Sequence, residues 1–155
     1  MKKVLICIDY NPTSELVADA GYELATSLNA EVCLIHVIAD AQYYGVQYPT
    51  FMGYVGIDSQ VDLNIGKEMI QVANNFLDTV KIHLNDTKIL TKVLEGSTAD
   101  VIIEYAKYLN ADIIVLGTHS HNLLEKILIG DVASKVLKDT KVPVYMVPTK
   151  KKTLA

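Results

Sequence analysis

The chain has only two cysteines, and none of its apolar runs is long enough to cross a membrane. Cys7 and Cys33 lie inside strand-like apolar runs, where a free thiol behaves as a small hydrophobic side chain. The pattern therefore predicts neither a disulfide framework nor a metal pair. At the N-terminus the apolar run before Asp9 is only five residues long (4–8), too short for the core of a signal peptide. We expect a cytoplasmic protein that does not bind membranes.

The sequence also has no excess of basic over acidic residues. The 155 residues include 14 Lys and Arg against 18 Asp and Glu, a formal net charge of −4. This balance argues against nucleic-acid binding. With 50% hydrophobic and 21% charged residues, the composition is that of a globular protein, and the length fits one domain. We assign residues 1–149 to this domain and residues 150–155 to a short, solvated basic tail.

The rest of the sequence alternates apolar runs typical of buried strands with amphipathic helical patterns. Asn11 is predicted to cap the first helix, with Pro12 at its first position. Ser97 and Asp100 resemble a capping box for a later helix. The alternation predicts a five-stranded, mostly parallel, doubly wound α/β sheet with helices on both faces. Its strands are expected at 2–8, 31–38, 88–94, 112–116 and 142–148, and its helices at 12–28, 61–84, 98–109 and from 132 to about 138.

Residues 39–61 interrupt this alternation and contain four of the nine tyrosines and one of the two phenylalanines. A loop of this length inside a compact domain is usually functional or mobile. Three interpretations stay open: a lid over the strand ends, a contact surface for a second copy or a partner, and irregular packing on the domain.

The last predicted strand, 142–148, contains two prolines, Pro143 and Pro148. Proline cannot donate to a sheet ladder, so this strand is predicted to lie at an edge. An exposed edge strand carrying Val144 and Met146 can pair with the strands of other chains and aggregate unless it is covered. We therefore expect a homodimer formed through the last strand.

The sequence after the fourth strand is where a site is expected. Residues 117–122 (GTHSHN) follow a buried apolar run, and residues 130–131 (GD) precede a helical pattern. A strand, a glycine-opened turn and a helix N-terminus together form a natural anion site, because unpaired backbone N–H groups point outward there. On spacing alone, an ordinary connection between strand and helix explains the same pattern.

Five motifs along the chain carry a resemblance to a known family: VLICID at 4–9, LIHV at 34–37, ADIIVLGTH at 111–119, LIGDVA at 128–133 and VPV at 142–144. Together they resemble the universal stress protein family over essentially the whole length of the chain. The resemblance implies a Rossmann-like sheet of adenine-nucleotide-binding type, with strands one and four adjacent at the topological switch point and ligands bound outside the carboxyl ends of the strands. It further implies a stress-response role.

ATP-binding members of this family carry a glycine, two residues, a second glycine, nine residues, and a third glycine followed by serine or threonine. The four matching positions here are Gly117, Ser120, Gly130 and Asp131, so two of the four depart from the pattern. The resemblance implies that these four approach the ribose and phosphates. It also implies that the adenosine part faces two further residues, Asp9 and Val37.

The two departures are expected to weaken ATP binding. A serine at the second glycine position costs on the order of 1 kcal/mol if that position needs a positive φ. Asp131 places a carboxylate near the phosphates and, as the helix N-cap, would occupy N–H groups that an anion needs. The binding of AMP or adenosine should be weakened less than the binding of ATP.

The histidines suggest no metal centre. His119 and His121 lack the further ligands of a metal site, so we predict no metal requirement and treat both, with Asn11, as candidate ligand contacts. His36 is predicted to be a hydrogen-bonded structural residue, and His83, near a helix end, has no partner at catalytic spacing. No general base or activated nucleophile can be assigned, so an enzyme is the least supported class. The sequence is still compatible with slow ATP hydrolysis.

Two other classes of protein fit part of the pattern. One is a nucleotide-free dimeric interaction module whose crevice is empty or filled by residues 39–61. The other is a phosphoacceptor receiver domain, whose layout Asp9, Glu95 and Thr118 partly mimic. The receiver class is disfavoured, because an acceptor aspartate after the third strand is missing and Lys150 follows Pro148 rather than preceding a proline.

Overall fold

The computed structural model describes residues 1–39, 58–118 and 129–149, with only the helical backbone given for 58–65. The strands are β1 (Lys3–Cys7), β2 (Glu31–Ala39), β3 (Leu90–Gly96), β4 (Ile113–Gly117) and β5 (Val144–Val147). The helices are α1 (Ser14–Ser27), α2 (Asp58–His83), α3 (Thr98–Leu109) and α4 (Asp131–Asp139). Among these described helices, none combines the length and the apolar content needed to cross a bilayer.

The five strands form one parallel sheet in the order β3-β2-β1-β4-β5. The central strand β1 pairs on one side with β2 and on the other with β4, so that Val4 lies beside both Val32 and Ile113. The chain therefore winds in opposite directions from β1, which leaves a crevice outside the carboxyl ends of β1 and β4. The predicted fold class, the adjacency of the first and fourth strands and the edge position of the last strand are all confirmed.

Successive residues of each strand point to opposite faces of the sheet, which divides the core into two clusters. This division explains why the strands read as unbroken apolar runs rather than as an alternation, since both faces are covered. On one face, α1 and α2 pack on Val4, Ile6, Leu34 and Val115. On the other, α3 and α4 pack on Leu5, Ile35, Ile114 and Leu116.

The start of α1 differs from the prediction. The helix begins at Ser14 with Thr13 as its N-cap residue, so the prediction that Asn11 caps the helix with Pro12 in its first position is wrong. Instead, Asn11 Oδ1 accepts hydrogen bonds from the Thr13 backbone N–H at 3.0 Å and the Thr13 hydroxyl at 2.8 Å. This local side-chain turn competes with the helix and delays its start.

The helix α3 runs over the predicted residues, Thr98–Leu109, and ends at Asn110, whose φ of 55° is left-handed. Ser97 occupies the N-cap position, but its hydroxyl makes no hydrogen bond to the helix backbone. The pKa of Asp100 is lowered first by the hydrogen bond from Lys135 and then by the nearby Ser97 hydroxyl. The capping-box prediction was therefore right about the helix start and wrong about the bond.

Candidate functional site

A crevice opens at the carboxyl ends of β1, β2 and β4, where the strand order reverses. It encloses about 630 Å³, including the space open to solvent at its mouth. Small-molecule sites are concave and mostly apolar, with a few polar groups. Its apolar lining includes Ile8, Val17, Ile35, Val37, Ile102, Leu116 and Val132. Its polar lining is formed by Asp9, Thr13, Ser14, Thr98 and Thr149.

The start of α1 holds the Asp9 carboxylate in place. Asp9 Oδ1 accepts a hydrogen bond from the Asn11 backbone N–H at 2.9 Å. The Ser14 hydroxyl lies 2.7 Å from the same carboxylate oxygen and also within reach of the Asp9 carbonyl oxygen. Ser14 is only 6% exposed, so its hydroxyl is committed to Asp9 rather than to solvent. Sequence reasoning missed Ser14 as a site residue, although its position five residues after Asp9 is a signal in the sequence.

Close packing explains the glycine at the end of β4. A Cβ atom on Gly117 would lie 2.7 Å from Val17 Cγ2 and 2.9 Å from Thr149 Cγ2, closer than such atoms approach. Two hydrogen bonds also fix the residue after Gly117. The Thr118 N–H donates to the Val147 carbonyl, and the Thr149 N–H donates to the Thr118 hydroxyl. Gly117 therefore lets β4, α1 and the segment after β5 meet at the floor of the crevice. Sequence reasoning missed Thr149.

The start of α4 corrects the prediction for Asp131. Gly130 is the N-cap residue and Asp131 is the first residue of the helix, so Asp131 does not act as the N-cap. The cap position carries no side-chain hydrogen bond to the helix within the part of the chain that the structure describes. Asp131 is exposed, while its neighbours Val132 and Ala133 line the crevice. The Asp131 carboxylate therefore lies beside a wall of the crevice.

An ion pair joins the two helices on that side of the crevice. Lys135 Nζ on α4 lies 2.8 Å from Asp100 Oδ1 on α3. The hydrogen bond from Lys135 is the main cause of the lowered pKa of Asp100, and the same bond raises the pKa of Lys135. Because Thr98 and Val132 line the crevice from these two helices, the pair links two neighbouring parts of its wall.

The cysteine in the crevice is not an activated nucleophile. Burial raises the pKa of the Cys7 thiol far above its usual range, and the nearby Cys33 raises it further. Burial also raises the pKa of Cys33. The prediction that both cysteines are free thiols within apolar strands agrees with this environment.

Three of the predicted nucleotide-binding residues, Asp9, Val37 and Gly117, meet in the crevice. Two more, Gly130 and Asp131, begin the helix that forms one of its walls. Asn11 contributes through its backbone N–H to Asp9. The predictions for Ser120, His119 and His121, for the loop 39–61 and for the tail 150–155 fall outside the described residues, apart from the ends of that loop at 39 and 58–61.

The two described histidines have different surroundings. His36 is buried, with Nδ1 2.9 Å from the Ile8 carbonyl oxygen, which confirms the predicted structural role. For His83 the sequence offered no partner at catalytic spacing, and in the structure two carboxylates face it. Its Nε2 lies 2.8 Å from Asp19 Oδ1 and 3.5 Å from Glu15 Oε1. These partners come from another helix more than 60 residues away, so spacing along the chain could not reveal them.

Comparison with known proteins gives consistent results. The model of the universal stress protein family matches residues 1–148. The chain is 32% identical over 153 residues to universal stress protein MJ0531 of Methanocaldococcus jannaschii, covering 97% of this chain and 84% of that protein. It is also 32% identical over 137 residues to universal stress protein A homolog 1 of Coxiella burnetii, covering 88% of each.

Solved structures share the fold. Protein MJ0577, also from Methanocaldococcus jannaschii, superposes with a TM-score of 0.75 at 25% identity, covering 98% of both chains. A universal stress protein in complex with cAMP gives a TM-score of 0.66 at 19% identity, covering 96% of this chain and 98% of the other. At this lower identity the likeness extends to the fold alone.

Proposed function

The chain belongs to the universal stress protein family, and we propose that it is a stress-response regulatory protein whose crevice binds an adenine nucleotide. The observation that carries the proposal is the fixed Asp9 carboxylate beside an apolar surface that includes Val37. A carboxylate accepts hydrogen bonds from ribose hydroxyls, and an apolar wall accommodates the face of a base. A structure of another universal stress protein in complex with cAMP supports the choice of ligand class.

In this proposal the adenosine part contacts Asp9 and Val37, and the phosphates point toward Gly117 and the start of α4. A helix N-terminus attracts anions through its free N–H groups and its dipole. The start of α4 suits this role, because no described side chain caps it. By the family resemblance, the phosphate end also involves Ser120, Gly130 and Asp131.

The charge of Asp131 favours ligands with fewer phosphates. Its exposed carboxylate is at the first position of α4, where it repels a triphosphate but lies farther from a nucleoside. We therefore propose that ATP binds more weakly here than in family members that carry the complete motif. AMP and adenosine are the better ligands, because their binding is weakened less. We also propose a binding role rather than catalysis, because the described lining residues include no histidine and the Cys7 thiol has a raised pKa.

Two measurements test this proposal: the first looks for a nucleotide carried by the purified protein, and the second asks whether Asp9 contributes to binding. The protein is denatured, and the supernatant is analysed for a released adenine nucleotide by absorbance and chromatography. Isothermal titration then compares adenosine, AMP, ADP and ATP with wild type and with Asp9→Asn. Asp139→Asn makes the same charge change at the exposed far end of α4 and serves as the control. Binding that Asp9→Asn weakens and Asp139→Asn preserves is expected.

A negative result would favour the alternative class. If no nucleotide is released and no ligand shifts the thermal midpoint, the proposal fails and a nucleotide-free dimeric module becomes the better description. We propose the homodimer in either case, formed through the edge strand β5, and we assign residues 1–149 to a single domain followed by the tail 150–155. The edge position of β5 supports this mode of assembly.

A further inference from the structure

Three potential metal ligands meet on the surface, where α1 packs beside the end of α2. Glu15 and Asp19 are one helical turn apart on α1, so they project from the same face. His83 is the last residue of α2. The three ligand atoms lie within 4.8 Å of one another, with His83 Nε2 2.8 Å from Asp19 Oδ1 and 3.5 Å from Glu15 Oε1.

These distances suit a metal ion as well as they suit a hydrogen bond. Two ligands of a tetrahedral zinc ion, each about 2.0 to 2.1 Å from the metal, lie roughly 3.3 Å apart. The separations from His83 to the two carboxylates fall on either side of this value. A cation that replaces the imidazole proton therefore requires adjustment of these three exposed side chains.

The local charge also favours a cation. Two carboxylates face the imidazole, and the carboxyl end of α2 adds the negative pole of its helix dipole. The side chains of His83, Glu15 and Asp19 are 42%, 64% and 51% exposed, which leaves room for water at the fourth ligand position. One nitrogen and two oxygen ligands fit zinc, whereas magnesium and calcium prefer oxygen alone.

We propose that Glu15, Asp19 and His83 form a zinc-binding site that links α1 to α2. The proposal is independent of the nucleotide crevice and of any metal requirement for folding. Its competitor is a plain ion pair between a protonated His83 and the two carboxylates, with no affinity for metal.

The test is a zinc titration of tag-free protein carrying His119→Asn and His121→Asn, which removes the other clustered histidines. Calorimetry is expected to give one zinc ion per chain, and excess magnesium should not displace it. In parallel, the imidazole resonances of His83 should shift on addition of zinc chloride. Zinc should also raise the thermal midpoint, because it binds the folded arrangement of the two helices.

Variants separate the site from adventitious binding. His83→Gln should weaken zinc binding by at least about 10- to 100-fold, the loss that even an outer-shell partner can cause. Asp19→Asn should also weaken it, whereas Glu104→Gln, an exposed carboxylate on α3, should not. Unaltered His83 resonances in excess zinc, or zinc affinity that survives His83→Gln, would overturn the proposal in favour of the ion pair.

Discussion

Lys135 on α4 and Asp100 on α3 are joined by a 2.8 Å contact between Nζ and Oδ1, which links two helices whose first turns face the crevice. Both residues lie one turn or less beyond the lining residues Thr98 and Val132. The pair therefore acts on the spacing of the walls rather than on a ligand directly. Since both side chains are about half exposed, its strength depends on solvent and salt.

The contribution of this pair to stability should depend on pH in a defined window. The folded protein lowers the pKa of Asp100, so the stabilisation is present above its unfolded pKa of about 3.9 and is lost as the pH falls through the lower, folded value. The raised pKa of Lys135 sets the upper limit: the stabilisation is complete below about 10.4 and disappears as the pH rises through the higher, folded value.

Urea denaturation of wild type and Asp100→Asn tests this window. The variant should be less stable at pH 7, and the difference should shrink in strong acid and at high salt. Glu104→Gln, which removes an exposed carboxylate from the same helix, should show a smaller difference at pH 7. A difference for Asp100→Asn that is the same at pH 7 and in acid would contradict the assignment.

Gly117 and Gly66 should respond oppositely to alanine. At Gly117 the new Cβ meets Val17 and Thr149 below 3.0 Å, so Gly117→Ala should destabilise the protein by about 1 to 3 kcal/mol and narrow the crevice. Gly66 lies within α2 with open space at its Cβ, so Gly66→Ala should stabilise it by about 0.5 to 1 kcal/mol. Thermal and urea unfolding measure both. Equal effects of the two substitutions would show that packing does not explain Gly117.

The fold could be predicted from the sequence because its signals are local and repeated. Apolar runs such as that before Gly117 mark buried strands, and the helical patterns between them force parallel pairing. Even the edge position of β5 could be predicted, since Pro143 and Pro148 flank it. The helix starts were less accurate. Asn11 makes a turn whose side-chain hydrogen bond competes with the helix, and Gly130 takes the N-cap position of α4 without a side-chain hydrogen bond.

The site could be predicted only in part. Motif positions located Asp9, Val37 and Gly117, which the parallel strands bring together. Thr149 was missed because its role depends on contact with Gly117, across 32 positions of the chain. The partners of His83 were missed for the same reason, since Glu15 and Asp19 reach it only when α1 packs near α2.

Ser14 should matter for both stability and binding. Ser14→Ala removes a buried hydroxyl that bonds to the Asp9 carboxylate, which should cost about 1 to 3 kcal/mol. Without this bond Asp9 is less firmly oriented, so adenosine affinity should also fall. Ser27→Ala is the control, because its exposed hydroxyl donates to the Glu23 carbonyl oxygen within the same helix. Calorimetric titration of adenosine into both variants would contradict the role of Ser14 if their affinities matched.

The charge at the start of α4 should discriminate between nucleotides. Two unit charges about 4 Å apart repel by about 1 kcal/mol in bulk water, so Asp131→Ser should increase ATP affinity by roughly fivefold. Adenosine affinity should hardly change, because adenosine carries no charge. Asp139→Ser alters the net charge equally at the last residue of α4 and controls for long-range effects. If isothermal titration gives equal ATP affinities for wild type and Asp131→Ser, the repulsion argument is wrong.

The edge strand β5 offers a test of the proposed homodimer. Val144 and Met146, the predicted dimer-edge residues, are half-buried against the core, whereas Tyr145 between them is 43% exposed. Tyr145→Lys would bring like charges together across a symmetric edge, so it should shift the protein toward monomer, more strongly at low salt. Tyr108→Lys introduces the same change at an 80% exposed position on α3 and should leave the dimer intact. Analytical ultracentrifugation measures the oligomeric state. Assembly through β5 would be excluded if wild type is monomeric, or if both variants are equally dimeric.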